Sequence, residues 1–574
     1  MINIERFLPA IAWLKHYRVN DFKQDFVASL IFTIMVIPQS LAYAMLAGLP
    51  AITGLYASIL PSILYSLFGT SRTLAVGPVA LTSVMTASAI LPFAVSGSEH
   101  YASIAILLAL MSGVLLLVLS LLKLGFLTNL LSHPVISGFI SASALLIIIG
   151  QSKYFLGIES HGDTLLPLVT GLYQHIGSTN IPTLILSAFC ITSLLMIKRY
   201  FGQLLTLTGL PESTVHLLEK SGPVIVVVVT TLIVAFFSLD QLGVAVIGTV
   251  PTSLPTMNVN IISWELIKAL LPSVFLITIV GFISSVSVAQ SYAAKRRQDI
   301  QPNQELAGLG LANIGSAMSG AFPVTGGLSR TVLNAECGAT SPMTGIITAL
   351  FILLTLLFLT PVFYYLPTVI LAAIITISMS KLISFADLKA LWGFSKKEAI
   401  LLIITFLVVI IEGMEAGLII GVVLSVLFFL WHTSHPHIAI VGRVPGTEHF
   451  RNIKRFDVET HNTVLTVRID ENLFFANARV FEEQLQSLVS QNPDLQHLIL
   501  MCTAINMVDA SALQSLEKIV SRLNDAGVKV HLSEVKGPVM DKLRHTDLLK
   551  QLNGHVFLTQ HQAITTLTQY KAEE

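Results

Sequence analysis

The sequence predicts a polytopic α-helical membrane protein of fourteen spans, arranged as two inverted repeats of seven and followed by a small α/β domain. Three observations carry that prediction. The chain has 574 residues, 53% hydrophobic and 11% charged, with a mean hydropathy of +0.77, which is too apolar and too long for one soluble core. The charge is unevenly spread, because residues 1–435 hold 36 charged side chains whereas the last 139 hold 30. Finally, Lys and Arg gather after even-numbered apolar segments, as they do when those ends face the cytoplasm.

A span needs about 20 apolar residues. Such segments run near 26–47, 51–69, 78–95, 101–122, 131–150, 181–197, 222–239, 266–289, 305–321, 328–337, 342–361, 367–383, 398–411 and 414–431. Two of these are short. With the N-terminus inside, Arg72, Lys123, Lys198, Arg199, Lys220, Lys295–Arg297, Lys381, Lys389, Lys396 and Lys397 all lie on the cytoplasmic side, and only Lys153 and Lys268 fall outside. Seven spans followed by seven more give the second half inverted topology, the arrangement of alternating-access transporters. Residues 1–25 carry scattered charge and no continuous apolar run, so they read as a cytoplasmic lead-in and not a signal peptide.

Two positions break the apolar pattern at matching places in the two halves. In the third span, Gly69-Thr70-Ser71-Arg72 leads to Gly77-Pro78, with a helix from Val79 and Pro78 in its first turn. In the tenth, Phe322-Pro323-Val324-Thr325-Gly326-Gly327 precedes a short helix that opens with Leu328, Ser329 and Arg330. Irregular backbone at membrane depth is tolerated where it is buried or lines a cavity. Each helix start presents unpaired N–H groups and a partial positive charge, so two facing starts form an anion cradle. A packing kink is the alternative for either break alone. Arg330 adds a guanidinium near the bilayer midplane, a position that calls for protein, water or an anion around it. In the first span Gln39 and Tyr43, four residues apart, place two neutral donors on one helix face, either for an oxyanion or for bonding between helices.

Other functions find little support. A formal net charge of zero gives no basic footprint for nucleic acid. Cys190, Cys337 and Cys502 are isolated, and Pro436 interrupts His432, His435 and His437, so no metal site or other cofactor is expected. Without a Walker lysine motif, ATP-driven pumping is not expected, nor is an enzyme activity. Gly413, Gly417 and Gly421 read as a small-residue packing stripe.

Pro50-Ala51-Ile52-Thr53-Gly54-Leu55-Tyr56-Ala57-Ser58 with Gly69-Thr70-Ser71-Arg72, Leu131-Ser132-His133-Pro134-Val135-Ile136-Ser137-Gly138-Phe139, Asn303-Gln304-Glu305-Leu306 and Thr325-Gly326-Gly327-Leu328-Ser329-Arg330 resemble the sulfate-permease (SulP) family of anion transporters over nearly the whole chain. The resemblance implies a mobile core domain and a gate domain, with substrate between spans 3 and 10. It carries substrate positions onto Gln39, Tyr43, Val79, Ala80, Ser329 and Arg330, with Leu328 beside them, and implies a homodimer. Bacterial members commonly have glutamate at the second residue after the Gly-Phe pair of the eighth span. Here Gly281-Phe282-Ile283 leads to Ser284-Ser285, so Ser284 occupies the coupling position with no titratable proton. Some bicarbonate-transporting members bind sodium through an aspartate in that span, and residues 266–289 contain no Asp.

After Pro436, the runs Val464–Ile469, Leu498–Cys502 and Val528–Leu532 read as strands with amphipathic helices between them, one over 511–524 ended by Gly527. Leu473-Phe474-Phe475-Ala476-Asn477-Ala478 and Asn506-Met507-Val508-Asp509-Ala510-Ser511 resemble a STAS domain, in which Ser511 matches a serine phosphorylated in some soluble relatives. Its plainer reading is a helix cap. The domains expected are 1–25 (cytoplasmic segment), 26–435 (anion transport) and 436–574 (cytoplasmic STAS). The function expected is secondary transport of a small oxyanion, sulfate preferred, in the cell membrane with lipid as its surroundings. Bicarbonate, chloride or a dicarboxylate are alternative cargoes, and a non-transporting scaffold or voltage-responsive motor is the alternative class.

Overall fold

A computed structural model of the chain describes residues 8–129, 132–159, 162, 164–206, 215, 222–248 and 263–569. Leu131 and Lys220 of the motifs and charge pattern above lie outside those residues. The chain divides into two compact bodies, the first ending at Val423 and the second beginning at Leu424.

In the first body each expected span is helical. Spans 1 to 7 are Val19–Leu46, Thr53–Phe68 in two pieces, Ala80–Ile90, Glu99–Leu121, His133–Leu156, Ile181–Thr206 and Gly222–Phe237. Spans 8 to 14 are Trp264–Arg296, Pro302–Met318, Leu328–Glu336, Met343–Phe358, Thr368–Ser380, Lys396–Glu412 and Met414–Ser434, the last crossing into the second body. Among the described residues, six helices are long and apolar enough, by length and composition, to cross a bilayer unaided. The third and tenth spans, at 11 and 9 residues, are not, and both begin within the protein.

Several details differ from the sequence reading. Span 2 splits into Thr53–Tyr56 and Leu60–Phe68 because Pro61, in the first turn of the second piece, cannot continue a helix from residue 57. In span 3, Val79 is the extended N-cap and the helix opens at Ala80, so Pro78 precedes the first turn instead of sitting in it. Gly413 turns the chain between spans 13 and 14 at φ +97°, whereas Gly417 and Gly421 do pack, against Val409 and against Val135 with Thr405. The helix Leu165–His175, between spans 5 and 6, was not anticipated, nor was Phe385–Phe394 after span 12.

The helices pack in two groups, a core of spans 1–4 with 8–11 and a gate in which spans 5, 6, 12 and 13 meet, and span 1 joins them by packing on spans 7 and 12. Close backbone approach builds both. A Cβ on Gly113 of span 4 would stand 2.8 Å from the Gly310 carbonyl of span 9, and one on Gly138 of span 5 would stand 2.5 Å from the Leu402 carbonyl of span 13. Small residues let helix backbones touch where lipid supplies no hydrophobic drive for association.

The second body holds a six-stranded sheet in the order β4-β3-β5-β6-β7-β8, with β3 Ile438–Arg443, β4 Phe450–Asn452, β5 Val464–Ile469, β6 His497–Met501, β7 Lys529–Ser533 and β8 Val556–Phe557. β5 to β8 run parallel and β3 is antiparallel to both its neighbours. Side chains alternate across the sheet. Leu498 and Leu500 pack beneath helices Ala478–Ser490 and Ala510–Asp525, while Ile499 and Met501 face helix Gln560–Gln569 through Ala563 and Ile564. Layers on both faces explain why the central strands are nearly continuous apolar runs.

Candidate functional site

The two Gly/Pro breaks meet in the middle of the core. Val76–Gly77 (β1) pairs antiparallel with Thr325–Gly326 (β2), Val76 opposite Gly326 and Gly77 opposite Thr325, immediately before the third- and tenth-span helices. Backbone at this depth requires partners, and side chains from neighbouring spans supply them. The Ser285 hydroxyl accepts from the Gly326 N–H (2.8 Å), and the Asn313 side chain accepts from the Val324 N–H and donates to the Val324 carbonyl (2.9 Å each). Thr331 accepts from the Ala75 N–H (3.2 Å) and Asn334 donates to the Thr73 carbonyl (3.0 Å), which ties the tenth span to the lead-in of the third. Neither short helix has a side-chain cap, since Val79 and Gly327 stand at the two N-caps. Their first-turn N–H groups thus have no side-chain acceptor.

Arg330 is 2% exposed. Its guanidinium donates to the hydroxyls of Ser40 in span 1 and Ser58 in span 2. Each of those hydroxyls gives its own hydrogen to the carbonyl four residues earlier, Val36 and Gly54 (2.8 Å each), so their oxygens remain available as acceptors. Gly54 makes this arrangement possible, since a Cβ there would overlap the Ser40 carbonyl. A Cβ on Gly77 would likewise fall on the Arg330 guanidinium. Arg330 has no carboxylate partner among the described residues, and its Nε is buried without a hydrogen bond.

Tyr43 is 2% exposed, with its hydroxyl beside the side chains of Ser329 and Ser378 and the charge of Arg330. Gln39, one turn earlier, is half-buried and its Oε1 has no partner. Ala80 opens the third-span helix and Leu328 the tenth, Leu328 being 46% exposed and Ser329 half-buried. Ser284 is half-buried in span 8. Its neighbour Ser285 and the glycine at 281, where a Cβ would strike the Thr325 methyl, are the positions of that span that meet β2. A cavity of about 340 Å³ lies between core residues Val84, Ala87, Ser88 and Tyr101 and span 5 residues Leu146, Gln151, Lys153 and Tyr154.

Sequence reasoning passed over several residues that hold this geometry. Ser40, Ser58 and Ser285 are serines in apolar helices and have no spacing that marks them. Glu305 was read only as part of a motif. It is fully buried, accepting from the Tyr65 hydroxyl (2.7 Å), the Thr70 N–H (2.7 Å) and hydroxyl (2.6 Å) and the Ser71 N–H (3.1 Å). Asp25, equally buried, accepts from Thr340, Ser341 and Tyr17. The two carboxylates fasten the segments that enter the third span and leave the tenth.

In the second body Ser511 is exposed in the first turn of helix Ala510–Asp525. The cap is Asp509, whose carboxylate accepts from the Ala512 N–H (2.8 Å), so the helix-cap reading of Ser511 is corrected.

Comparison with known proteins agrees with this architecture. Residues 22–405 match the Sulfate permease family and 455–563 match the STAS domain. The chain is 33% identical over 581 residues to a probable sulfate transporter 4.2 of Arabidopsis thaliana, covering 99% of this chain and 84% of that one. It is 31% identical over 554 residues to a probable sulfate transporter of Mycobacterium tuberculosis, covering 96% of each. Among solved structures, the fold is similar to SLC26A9 (TM-score 0.89, 23% identity, 99% of this chain and 94% of that one). It is also similar to the transmembrane domain of the cyanobacterial bicarbonate transporter BicA (TM-score 0.59, 19% identity, 72% of this chain and 98% of that one). Matched by the family over residues 22–405 and by relatives 31–33% identical along nearly its whole length, the chain belongs to the sulfate permease family and carries a STAS domain.

Proposed function

We propose that this chain is a secondary transporter that moves a small oxyanion, sulfate by preference, across the membrane by alternating access. The anion sits between the N-termini of the third and tenth spans. One observation carries the reading: a buried arginine with no carboxylate partner among the described residues lies where β1 and β2 join two uncapped helix starts. An unneutralised guanidinium away from water is costly, and an anion in the cradle offsets that cost. Gln39, Tyr43 and Ser329 add neutral donors, and the N–H groups from Ala80 and Leu328 onward add partial positive charge. The relatives named for sulfate favour that cargo. Residues 26–435 transport, residues 436–574 form the cytoplasmic regulatory or assembly domain, and the protein works as a homodimer with both termini inside. The core group moves against the gate, with the cavity beside Lys153 as the outer approach.

The test is anion affinity in purified variants. Arg330→Ala removes the full charge and should weaken sulfate binding roughly tenfold or more, because a charged hydrogen bond is worth about 1.5–3 kcal/mol. Ser329→Ala removes one neutral bond worth about 1 kcal/mol and should do less. Equal affinity in two folded variants removes Arg330 from the cradle.

A further inference from the structure

We propose that the second body carries a phosphate cleft for the headgroup of an anionic phospholipid, built by Arg451, Arg455, Arg468 and His437. The cleft has a volume of about 400 Å³ and is lined also by Asn452, Phe456 and Asp470. Its charge balance is positive. Asp470 is occupied by Arg468 (Nε to Oδ1 2.5 Å, Nη2 to Oδ2 3.0 Å) and by His437 (2.7 Å), whereas Arg451 and Arg455 are exposed and no carboxylate pairs with either among the described residues. Burial pushes the Asp470 carboxyl up, but the hydrogen bonds from Arg468 and His437 outweigh it and hold it below its ordinary value. The Arg468 guanidinium is thereby fixed as the floor of the cleft, and two unpaired guanidiniums stand at its rim. That is a site for a phosphate, which planar guanidiniums bind in a bidentate fashion.

The position of the cleft identifies the source of the phosphate. The last span, Met414–Ser434, has 21 residues, about 31 Å of helix at 1.5 Å each, which matches a hydrocarbon core of about 30 Å. Its end therefore lies at the hydrocarbon boundary. His437 follows Ser434 by three residues, roughly 10 Å of chain at most, which brings this side of the cleft close to the headgroup layer, about 5–7 Å deep. The Asn477 side chain donates to the Thr433 carbonyl (3.4 Å) and the Asp470 N–H to the His437 carbonyl (3.0 Å), so the sheet is held to the helix end. Beside the arginines, Ile453 (37% exposed) and Phe456 (53%) present apolar surface, with Lys454 between them and Arg455 next to it. Basic and aromatic residues together suit a bilayer interface. A soluble phosphate compound would have no use for the two apolar side chains.

The experiment uses the full chain in nanodiscs of phosphatidylcholine with a minority of phosphatidylglycerol, and native mass spectrometry counts the phosphatidylglycerol retained. Arg451→Gln with Arg455→Gln should cut retention roughly tenfold or more, since each arginine near a membrane surface contributes roughly fivefold and the two multiply. Lys518→Gln with Lys542→Gln, exposed lysines on other helices of the same domain, should leave it unchanged, and unaltered melting of both variants shows that folding is kept. In a second arm, millimolar inorganic phosphate is added to the detergent-solubilised protein, and it should not shift the melting of the unmodified chain. Retention equal in all three proteins overturns the site. A phosphate-induced shift that is lost in the arginine variant, with phosphatidylglycerol retention unchanged, overturns the lipid source in favour of a soluble phosphate.

Discussion

Arg330 is held by two serine oxygens on different helices, so its position depends on space as well as on bonds. Gly77 leaves that space, and Gly77→Ala should displace the guanidinium from Ser40 and Ser58. Anion affinity should fall by roughly tenfold, the worth of one charged hydrogen bond, while the melting temperature in detergent changes little. Unchanged sulfate affinity would show that the arginine has room to spare. In the second body, His531 is 1% exposed and its Nδ1 accepts the His555 N–H (3.0 Å), which fixes the proton on Nε2, facing His497 Nδ1 (3.0 Å). Burial, with the nearby His497, His555 and Lys529, pushes its pKa down to about 4. Between the ordinary value of about 6.5 and that value, the unfolded chain takes up a proton that the folded domain refuses. Stability is therefore steady above that window and falls as pH drops through it, by on the order of 2–3 kcal/mol at the bottom. Calorimetry of the domain's transition at pH 7 and pH 5 should show the loss in the unmodified chain and a smaller one in His531→Gln, whose amide carries no titrating proton.

At the scale of elements, two helices too short to span are set by what precedes them. The β1–β2 pairing fixes their starts, Ser285 and Asn313 satisfy the backbone between, and Glu305 anchors the segment that enters the third span. Every partner of Glu305 is a donor. Glu305→Gln keeps the shape but turns an NH₂ group toward one or more of those donors. The expected cost is on the order of 2–3 kcal/mol, read as a lower melting temperature together with lost transport. Glu305→Asp should recover part of both, and a glutamine variant that melts and transports normally would show that the carboxylate is dispensable.

For the whole molecule, the question is what drives the cycle. Span 8 contains no acid after Glu265, and Ser284 has no proton to exchange near neutral pH. Glu412 is exposed at the turn between spans 13 and 14. Asp25 and Glu305 are buried, and each is taken up in holding the backbone N–H and hydroxyl groups of neighbouring segments, a fastening role. The expected behaviour is exchange or uniport, with an imposed inward proton gradient driving little accumulation. Uptake into proteoliposomes with and without a pH step, at fixed voltage, measures this. Ser284→Glu should introduce a pH dependence, because span 8 meets β2 at the adjacent Ser285. Strong proton-driven accumulation by the unmodified chain would locate the coupling group elsewhere.

The sequence by itself determined the number and order of the spans, the α/β character of the C-terminal part and the two interrupted helices. Each follows from local chemistry, because apolar length, Lys/Arg placement and a Gly/Pro break act on a few residues at a time. It also identified Arg330, since a lone guanidinium in an apolar helix stands out against its neighbours. Only the tertiary structure decided that the two breaks pair as strands, that Ser40 and Ser58 hold the arginine, and that Asp25 and Glu305 secure the surrounding segments. The Arg330–Ser58 contact joins residues 272 positions apart and the Ser285–Gly326 bond residues 41 apart. Serine and glycine carry no outward mark of such roles, because what they contribute is a small volume or one oxygen at a place fixed by helices packed from both halves of the chain.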